Sequence, residues 1–200
     1  GRAVSILKFH KCKKIIFAGK VKTPNFSKTK FDLKALYYLP KIIIGSKKGD
    51  ASIIKEVIKI FNKEGFNIIS STFYNRELLL KKGSYTKIKP NFLNKTDMIK
   101  GKNIITDLSR RNIGQGIVIS NGHIIAIEGP QGTDFMLNKS QKVFKKLSNT
   151  QRKNGILLKF PKRDQDLRVD LPTVGIKTIK KCIKIGLKGI VVKANQSIFL

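Results

Sequence analysis

Apolar stripes at helical spacing alternate along this chain with short apolar runs that end in polar loops, the pattern of helices interleaved with buried strands. Residues 1–14 place Val4, Leu7 and Cys12 at roughly helical intervals and predict a helix; Ile15-Ile16-Phe17-Ala18 then reads as a buried strand closed by Gly19. A polar loop containing Pro24 runs to Asp32, and Leu33 to Leu39 predicts a short helix stopping before Pro40. Asp50 opens a helix that reaches about Glu64. Ile53, Ile54, Val57, Ile58 and Phe61 form its apolar stripe, Asp50 is a candidate N-cap and Gly65 a helix-ending glycine. Phe66 to Ser70 reads as the next strand and Phe73 to Leu80 as a short helix. Helix and strand in alternation predict a parallel, Rossmann-like sheet.

Residues 81–95 are rich in Lys, Gly, Ser, Pro and Asn, which sets an expected domain boundary there. The fold class read from the pattern is α/β: a partial Rossmann-like domain over 1–90, then a C-terminal α/β domain with a mixed sheet over 91–200. Thr96 to Arg111 predicts a helix, with Gly101 its weak point. Ile113 to Ser120, Asn121-Gly122, and His123 to Glu128 predict a hairpin, because Asn-Gly tolerates the two positive φ angles of a type I′ turn. A helix over 135–147, a strand over 155–160, a helix over 176–185 stopped by Gly186, and strands over 189–192 and 197–200 complete the reading. The first strand of a βαβ unit and an initiator methionine are both missing, and the last apolar run ends at the terminus. The expectation is a piece of a longer protein, truncated at both ends.

Charge widens the choice of partners before it narrows it. The chain carries 42 Lys plus Arg against 12 Asp plus Glu, a formal net charge of +30. That balance favours anionic partners. The lysines are spread along the whole length, however, together with abundant Ile and Asn, as a biased codon usage would spread them. No basic-aromatic interleaving of the RNA-binding kind is present, so no specific nucleic-acid partner is expected. A non-enzymatic nucleic-acid-binding protein remains the alternative that charge alone supports. An anionic membrane surface would also attract such a chain, at about 1 kcal/mol per nearby basic residue. The sequence has no run of about 18 apolar residues, so no membrane span is expected. Cys12 and Cys182 fit no metal spacing and read as reduced and partly buried; His10 and His123 stand alone.

Against that background the carboxylates are informative. Asp164, Asp166 and Asp170 fall within seven positions in the run Lys162-Arg163-Asp164-Gln165-Asp166-Leu167-Arg168-Val169-Asp170-Leu171-Pro172-Thr173. As an extended segment it would point Asp166, Arg168 and Asp170 one way and Leu167, Val169 and Leu171 the other. Such a face could hold a divalent cation and a phosphate; on residue pattern alone the plainer reading is a salt-bridged strand edge beside a Pro-Thr turn, since structural ion pairs are common. A second polar loop, Glu128-Gly-Pro-Gln-Gly-Thr-Asp134, leads into the helix beginning near Phe135. Its glycines allow close backbone approach, and Thr133 or Asp134 could cap that helix, whose N-terminus attracts phosphate. Lys159, Lys162 and Arg168 could neutralise phosphate oxygens, and magnesium takes few direct carboxylates beside water and substrate phosphate. Gly45-Ser46-Lys47-Lys48-Gly49 is a basic turn without the spacing of a phosphate-binding loop.

Taken in order, Asn112-Ile-Gly-Gln115, the loop ending Gly132-Thr133-Asp134, and Gln165-Asp166-Leu-Arg168-Val-Asp170-Leu171-Pro172-Thr173-Val-Gly175 resemble the bacterial UDP-2,3-diacylglucosamine pyrophosphatases of the lipid A pathway, the type unrelated to calcineurin-like metallophosphoesterases. Weaker likeness extends upstream through Ala18-Gly19-Lys20-Val21 and Asp32 to Pro40. The resemblance implies a two-domain α/β enzyme, usually a homodimer, at the cytoplasmic face of the inner membrane as a peripheral protein. It implies Mg2+-dependent hydrolysis of the lipid-linked UDP-sugar to UMP and 2,3-diacylglucosamine 1-phosphate, water attacking the α-phosphorus. By motif position it implies Asp166 and Asp170 as essential carboxylates and metal ligands. Glu128 is a further catalytic candidate and Asp134 a further ligand, while Gln115, Gly132, Thr133, Lys159 and Arg168 would contact substrate. Asn112 stands where the family has Asp. The family's N-terminal segment with its Gly-rich turn is missing, which leaves an inactive truncated homologue as a further reading.

Overall fold

The computed structural model describes residues 1–19, 31–46, 50–111, 113–147 and 154–200, without the side chains of Asp50 and Ala51. The Pro24 loop, residues 47–49 of the basic turn, and Asn112 lie outside the described residues. The chain is an α/β protein with two compact units. One is Gly1–Asn75 with Asp166–Asp170; the other is Arg76–Gln165 with Leu171–Leu200.

The first unit holds α1 (Arg2–Phe9), β1 (Lys14–Ile15), α2 (Leu33–Ser46), α3 (Asp50–Lys63) and β2 (Asn67–Ile68). β1 and β2 pair in parallel, Lys14 opposite Asn67 and Ile15 opposite Ile68. α3 turns its predicted stripe inward, burying Ile53 and Ile58, and Gly65 at φ 90° ends the turn that follows. Two local expectations fail. Residues 73–80 form only a 3-10 turn at Arg76–Leu78. The helix from Leu33 does not stop at Pro40 but runs on to Ser46. Proline removes the N–H that the Leu36 carbonyl would accept, but Leu36 and Pro40 are both exposed, where water can serve that carbonyl. Buried Tyr38 and Gly45 anchor the far side of α2, and a Cβ on Gly45 would lie 3.3 Å from the Ser52 carbonyl oxygen of α3.

Glu64 ties three helices of this unit together. Its carboxylate accepts from Lys8 Nζ at 2.9 Å, Lys34 Nζ at 2.6 Å and Tyr38 Oη at 3.0 Å. The Lys34 and Lys8 bonds, set against a partial burial cost, pull its pKa down to about 2. A depressed carboxylate stabilises the fold above its unfolded pKa and loses that contribution as pH falls through the folded value. Glu64→Gln is therefore expected to lower stability at neutral pH by on the order of 1–2 kcal/mol, discounted because both lysines are largely exposed. It should also flatten the acid limb of stability between the usual carboxylate range and about pH 2, read by urea unfolding at stepped pH.

The second unit is a three-layer sandwich. Among the described residues its sheet has four strands in the order β4 (His123–Ile127), β3 (Gly116–Ser120), β5 (Ile156–Lys159), β7 (Gly189–Val192). The β4–β3 and β3–β5 pairs are antiparallel and β5–β7 is parallel, so the sheet is mixed as expected. Alternation divides the core. Ile117, Ile119, Ile156 and Leu158 pack with Ile105 of α4 (Phe92–Arg110). Val118 and Leu157 pack on the other face with Met136, Leu137 and Phe144 of α5 (Thr133–Lys146) and Cys182 of α6 (Ile176–Ile185). Burial on both faces explains why β3 and β5 are continuous apolar runs. The Asn121-Gly122 turn has both φ angles positive, 47° and 79°, as its sequence predicts. A small parallel pair, β6 (Thr173–Val174) with β8 (Ile198–Phe199), completes the unit.

Gly101, expected to weaken α4, is instead where that helix comes closest to the sheet. A Cβ there would lie 2.7 Å from Leu158 Cδ2 and 3.4 Å from Ile117 Cδ1. Gly101→Val is expected to destabilise the second unit by about 1–3 kcal/mol through overpacking, measured as a shift in urea midpoint at unchanged slope. Both cysteines are free, Cys182 buried and Cys12 partly so; burial pushes the Cys182 thiol up to about 12.

Candidate active site

In the second unit, strand register brings the polar residues of separate loops to one end of the sheet. Gly116, the first residue of β3, lies opposite Lys159, the last of β5. On its other side the Gly116 carbonyl accepts from the Glu128 N–H at 2.8 Å, one residue past β4. Gln115 immediately precedes β3, and its carbonyl accepts from Phe160 N–H at 2.9 Å. The carboxyl ends of the parallel pair β5–β7 lie at this same end, the usual place for a ligand in an open α/β sheet.

Three side chains are bonded in series there. Lys159 Nζ donates to Thr133 Oγ1 at 2.9 Å and to the Thr173 carbonyl at 3.3 Å. Thr133 Oγ1 in turn donates to Glu128 Oε2 at 3.1 Å. Glu128 is 6% exposed and Lys159 8%. Charged groups this buried require partners, and each provides for the other through the threonine hydroxyl. Burial raises the Glu128 pKa above the ordinary carboxylate value, opposed by the Lys159 charge, the Thr133 hydrogen bond and the Lys162 charge. Room for the carboxylate comes from glycine: a Cβ on Gly116 would collide with Glu128 Oε2, and one on Gly114, at φ 52°, with the Glu128 carbonyl.

The Glu128–Asp134 loop also corrects the capping expectation. Neither Thr133 nor Asp134 caps α5. Gly132 occupies the N-cap at φ 85° without a side-chain bond, which frees the Thr133 hydroxyl for Glu128 and Lys159. Asp134 does not join the cluster; it is 72% exposed and pairs with Lys181 at 2.8 Å. Pattern reading missed Gly114, Gly116 and the Thr173 carbonyl. The available signal was a pair of glycines flanking Gln115 at a strand start.

Asp166, Arg168 and Asp170 belong to the first unit and do not form the extended face expected of them. Residues 167–169 are a turn in which the Asp166 carbonyl accepts from the N–H of Val169 at 3.1 Å and of Asp170 at 2.9 Å. A short polar side chain that bonds its own following backbone favours this over a strand: Asp166 Oδ1 accepts from the Arg168 N–H at 3.0 Å. Arg168 then forks onto the same carboxylate, Nε to Oδ1 at 3.0 Å and a terminal nitrogen to Oδ2 at 2.7 Å. The Arg168 side-chain bonds are the main cause that holds the Asp166 pKa below the ordinary value. Arg168 also reaches the Ile68 carbonyl at the end of β2, at 3.3 Å, and its own carbonyl accepts from Ser71 N–H at 2.7 Å.

Among the described residues no three His, Cys, Asp or Glu side chains gather as a metal site. Of the expected ligands, Asp166 and Asp170 belong to the first unit and Asp134 to the second, and both Asp166 oxygens are engaged by Arg168. Magnesium is commonly held by one or two carboxylates with substrate phosphates and water, so a cage is not what that ion requires.

The fold and its polar residues define a two-unit α/β protein with a buried acid–hydroxyl–ammonium series at strand ends and an aspartate–arginine turn, groups suited to phosphate chemistry. The sequence places it more closely. A family model described as the LpxI N-terminal domain matches residues 1–78, and one described as the LpxI C-terminal domain matches residues 81–200. The chain is 34% identical over 197 residues to "UDP-2,3-diacylglucosamine pyrophosphatase LpxI" of Caulobacter vibrioides, an alignment covering 98% of this chain and 70% of that protein. The chain belongs to the LpxI family.

Proposed function

We propose that the chain is a hydrolase of the lipid A pathway that cleaves the diphosphate of UDP-2,3-diacylglucosamine. The observation that carries this is the family match across both units, together with 34% identity to a relative named for that substrate. Water adds to the α-phosphorus, the bridging P–O bond breaks, UMP takes the hydroxyl, and 2,3-diacylglucosamine 1-phosphate leaves. Asp166 and Asp170 are the proposed essential carboxylates, since one backbone turn holds them together. The Arg168 guanidinium, the Lys159 ammonium, and the hydroxyl and N–H of Thr133 at the start of α5 are suited to phosphate oxygens. Gln115 is a further proposed substrate contact, and Glu128, whose pKa burial raises above the ordinary carboxylate value, is a candidate proton carrier.

Magnesium dependence is part of the proposal, supported by the paired aspartates of the sequence motif; the ion would neutralise charge on the diphosphate. So are a homodimeric state and peripheral contact with the cytoplasmic face of the inner membrane. Among the described residues no helix is long and apolar enough to cross a membrane. The test is UMP release from UDP-2,3-diacylglucosamine in detergent micelles, with and without magnesium. Release stimulated by magnesium and suppressed by a chelator supports the reading. Normal binding of substrate and magnesium without release would overturn the hydrolase assignment.

A further inference from the structure

α2 is apolar on both sides. Its inner side buries Tyr38 and Gly45 toward α3, as already described. Its outer side exposes Leu33 at 86%, Leu36 at 49%, Tyr37 at 64% and Ile44 at 60%. Positions 33, 36/37, 40 and 44 recur at helical spacing, so these residues form one stripe. A helix apolar all round is normally covered by something. No Asp or Glu occurs between Leu33 and Ser46. Lys41 stands one turn from Tyr37 and beside Ile44 in the stripe, and Lys63 Nζ sits 5.6 Å from the centre of the Tyr37 ring.

We infer that the outer face of α2 docks the protein on an anionic phospholipid surface, with the helix lying in the plane of the interface. This gives the proposed membrane contact a location and rests on that part of the functional reading. An apolar stripe framed by lysine, with a tyrosine at the boundary, is the make-up of interfacial helices. Charge decides between this occupant and a second copy. Two copies meeting through α2 would bring Lys41 and Lys63 against their counterparts in chains of net charge +30, whereas anionic headgroups complement them.

The sequence contains no tryptophan, so Tyr37→Trp introduces a single reporter. Its emission is expected to shift to shorter wavelength on adding phosphatidylcholine vesicles that contain phosphatidylglycerol, and not with phosphatidylcholine alone. In co-sedimentation with the same mixed vesicles, Leu36→Ser combined with Ile44→Ser should weaken binding on the order of tenfold or more. Lys41→Glu should weaken it further at low salt. Helical circular dichroism confirms that the variants fold. Unchanged emission from the Tyr37→Trp variant when it is bound to vesicles overturns the proposal, because the chain then docks elsewhere. Equal binding by the double variant overturns it as well. So does a wild-type dimer, seen by sedimentation velocity, that the double variant abolishes, since α2 would then face a second copy. Hydrolysis of detergent-dispersed UDP-2,3-diacylglucosamine by the same double variant reads the enzymatic proposal separately from the docking one.

Discussion

Asp166→Asn is expected to reduce UMP release by about 10²–10⁴-fold, the range that one positioned acid–base group supplies. The asparagine keeps the shape of the turn and one acceptor for Arg168, but removes the charge. That charge has two conceivable roles, acting on the reacting groups or merely holding Arg168, and Arg168→Lys separates them. Lysine retains a cation but cannot reproduce the fork of 3.0 and 2.7 Å bonds onto Asp166. If Asp166 serves only to orient Arg168, the two single variants and the double variant will all show the same kcat. If Asp166 has its own part, the double variant falls below Arg168→Lys alone. The pH dependence adds a check. Hydrogen bonds from Arg168 depress the Asp166 pKa, so its contribution to stability is present above the ordinary carboxylate value and fades as pH falls through the lowered one. Activity that depends on ionised Asp166 should therefore persist well into mild acid. Arg168→Lys should move that acid limb back toward neutral pH, an effect that a purely structural role would not produce.

The sequence was most legible where one face of an element is apolar or a turn residue is constrained. The Ile53–Phe61 stripe, the Asn121-Gly122 turn and Gly186 at φ 87° are local signals, and the structure follows them. Two of the misreadings originate in tertiary packing and the third in local side-chain bonding. Pro40 carries a strong local stop signal, overridden because Tyr38 and Gly45 hold α2 on α3. Gly101 looks like a helix weakness until Leu158 is found against it. The Asp166–Asp170 run alternates as a strand would, yet the side chain of Asp166 prefers its own backbone and Arg168. Motif order supplied the family, and with it Glu128, Thr133 and Lys159 as candidates. Their serial bonding depends on strand register: Gly116 opposite Lys159 and bonded to Glu128, over separations of tens of residues that no local pattern records.

Glu128→Gln is expected to make the protein more stable and less active at once. Burial is the largest influence on Glu128 and raises its pKa despite the Lys159 and Lys162 charges and the Thr133 bond. A carboxyl whose folded pKa is raised favours the fold in its protonated form. Stability is lost as pH climbs from the unfolded pKa through the folded one, and the deficit persists at neutral pH. Glutamine imitates the protonated acid in shape and neutrality. Wild type and variant should therefore have equal Tm in acid, below the ordinary carboxylate range, and the variant should gain the higher Tm as pH rises to neutral. If Glu128 carries a proton in the reaction, UMP release should fall by about 10²-fold or more in the same variant. Thr133→Val tests whether the series acts as a unit. It deletes the hydroxyl that Lys159 reaches at 2.9 Å and that reaches Glu128 at 3.1 Å, leaving two buried charges without their bridge. That variant should lose both stability and activity. A Glu128→Gln protein with full activity would remove Glu128 from the chemistry and leave it as a buried partner of Lys159. A variant less stable than wild type at neutral pH would show that the lost attraction to Lys159 outweighs the burial cost. Higher stability joined to lower activity is the combination expected of a carboxylate kept in an unfavourable place because the reaction uses it.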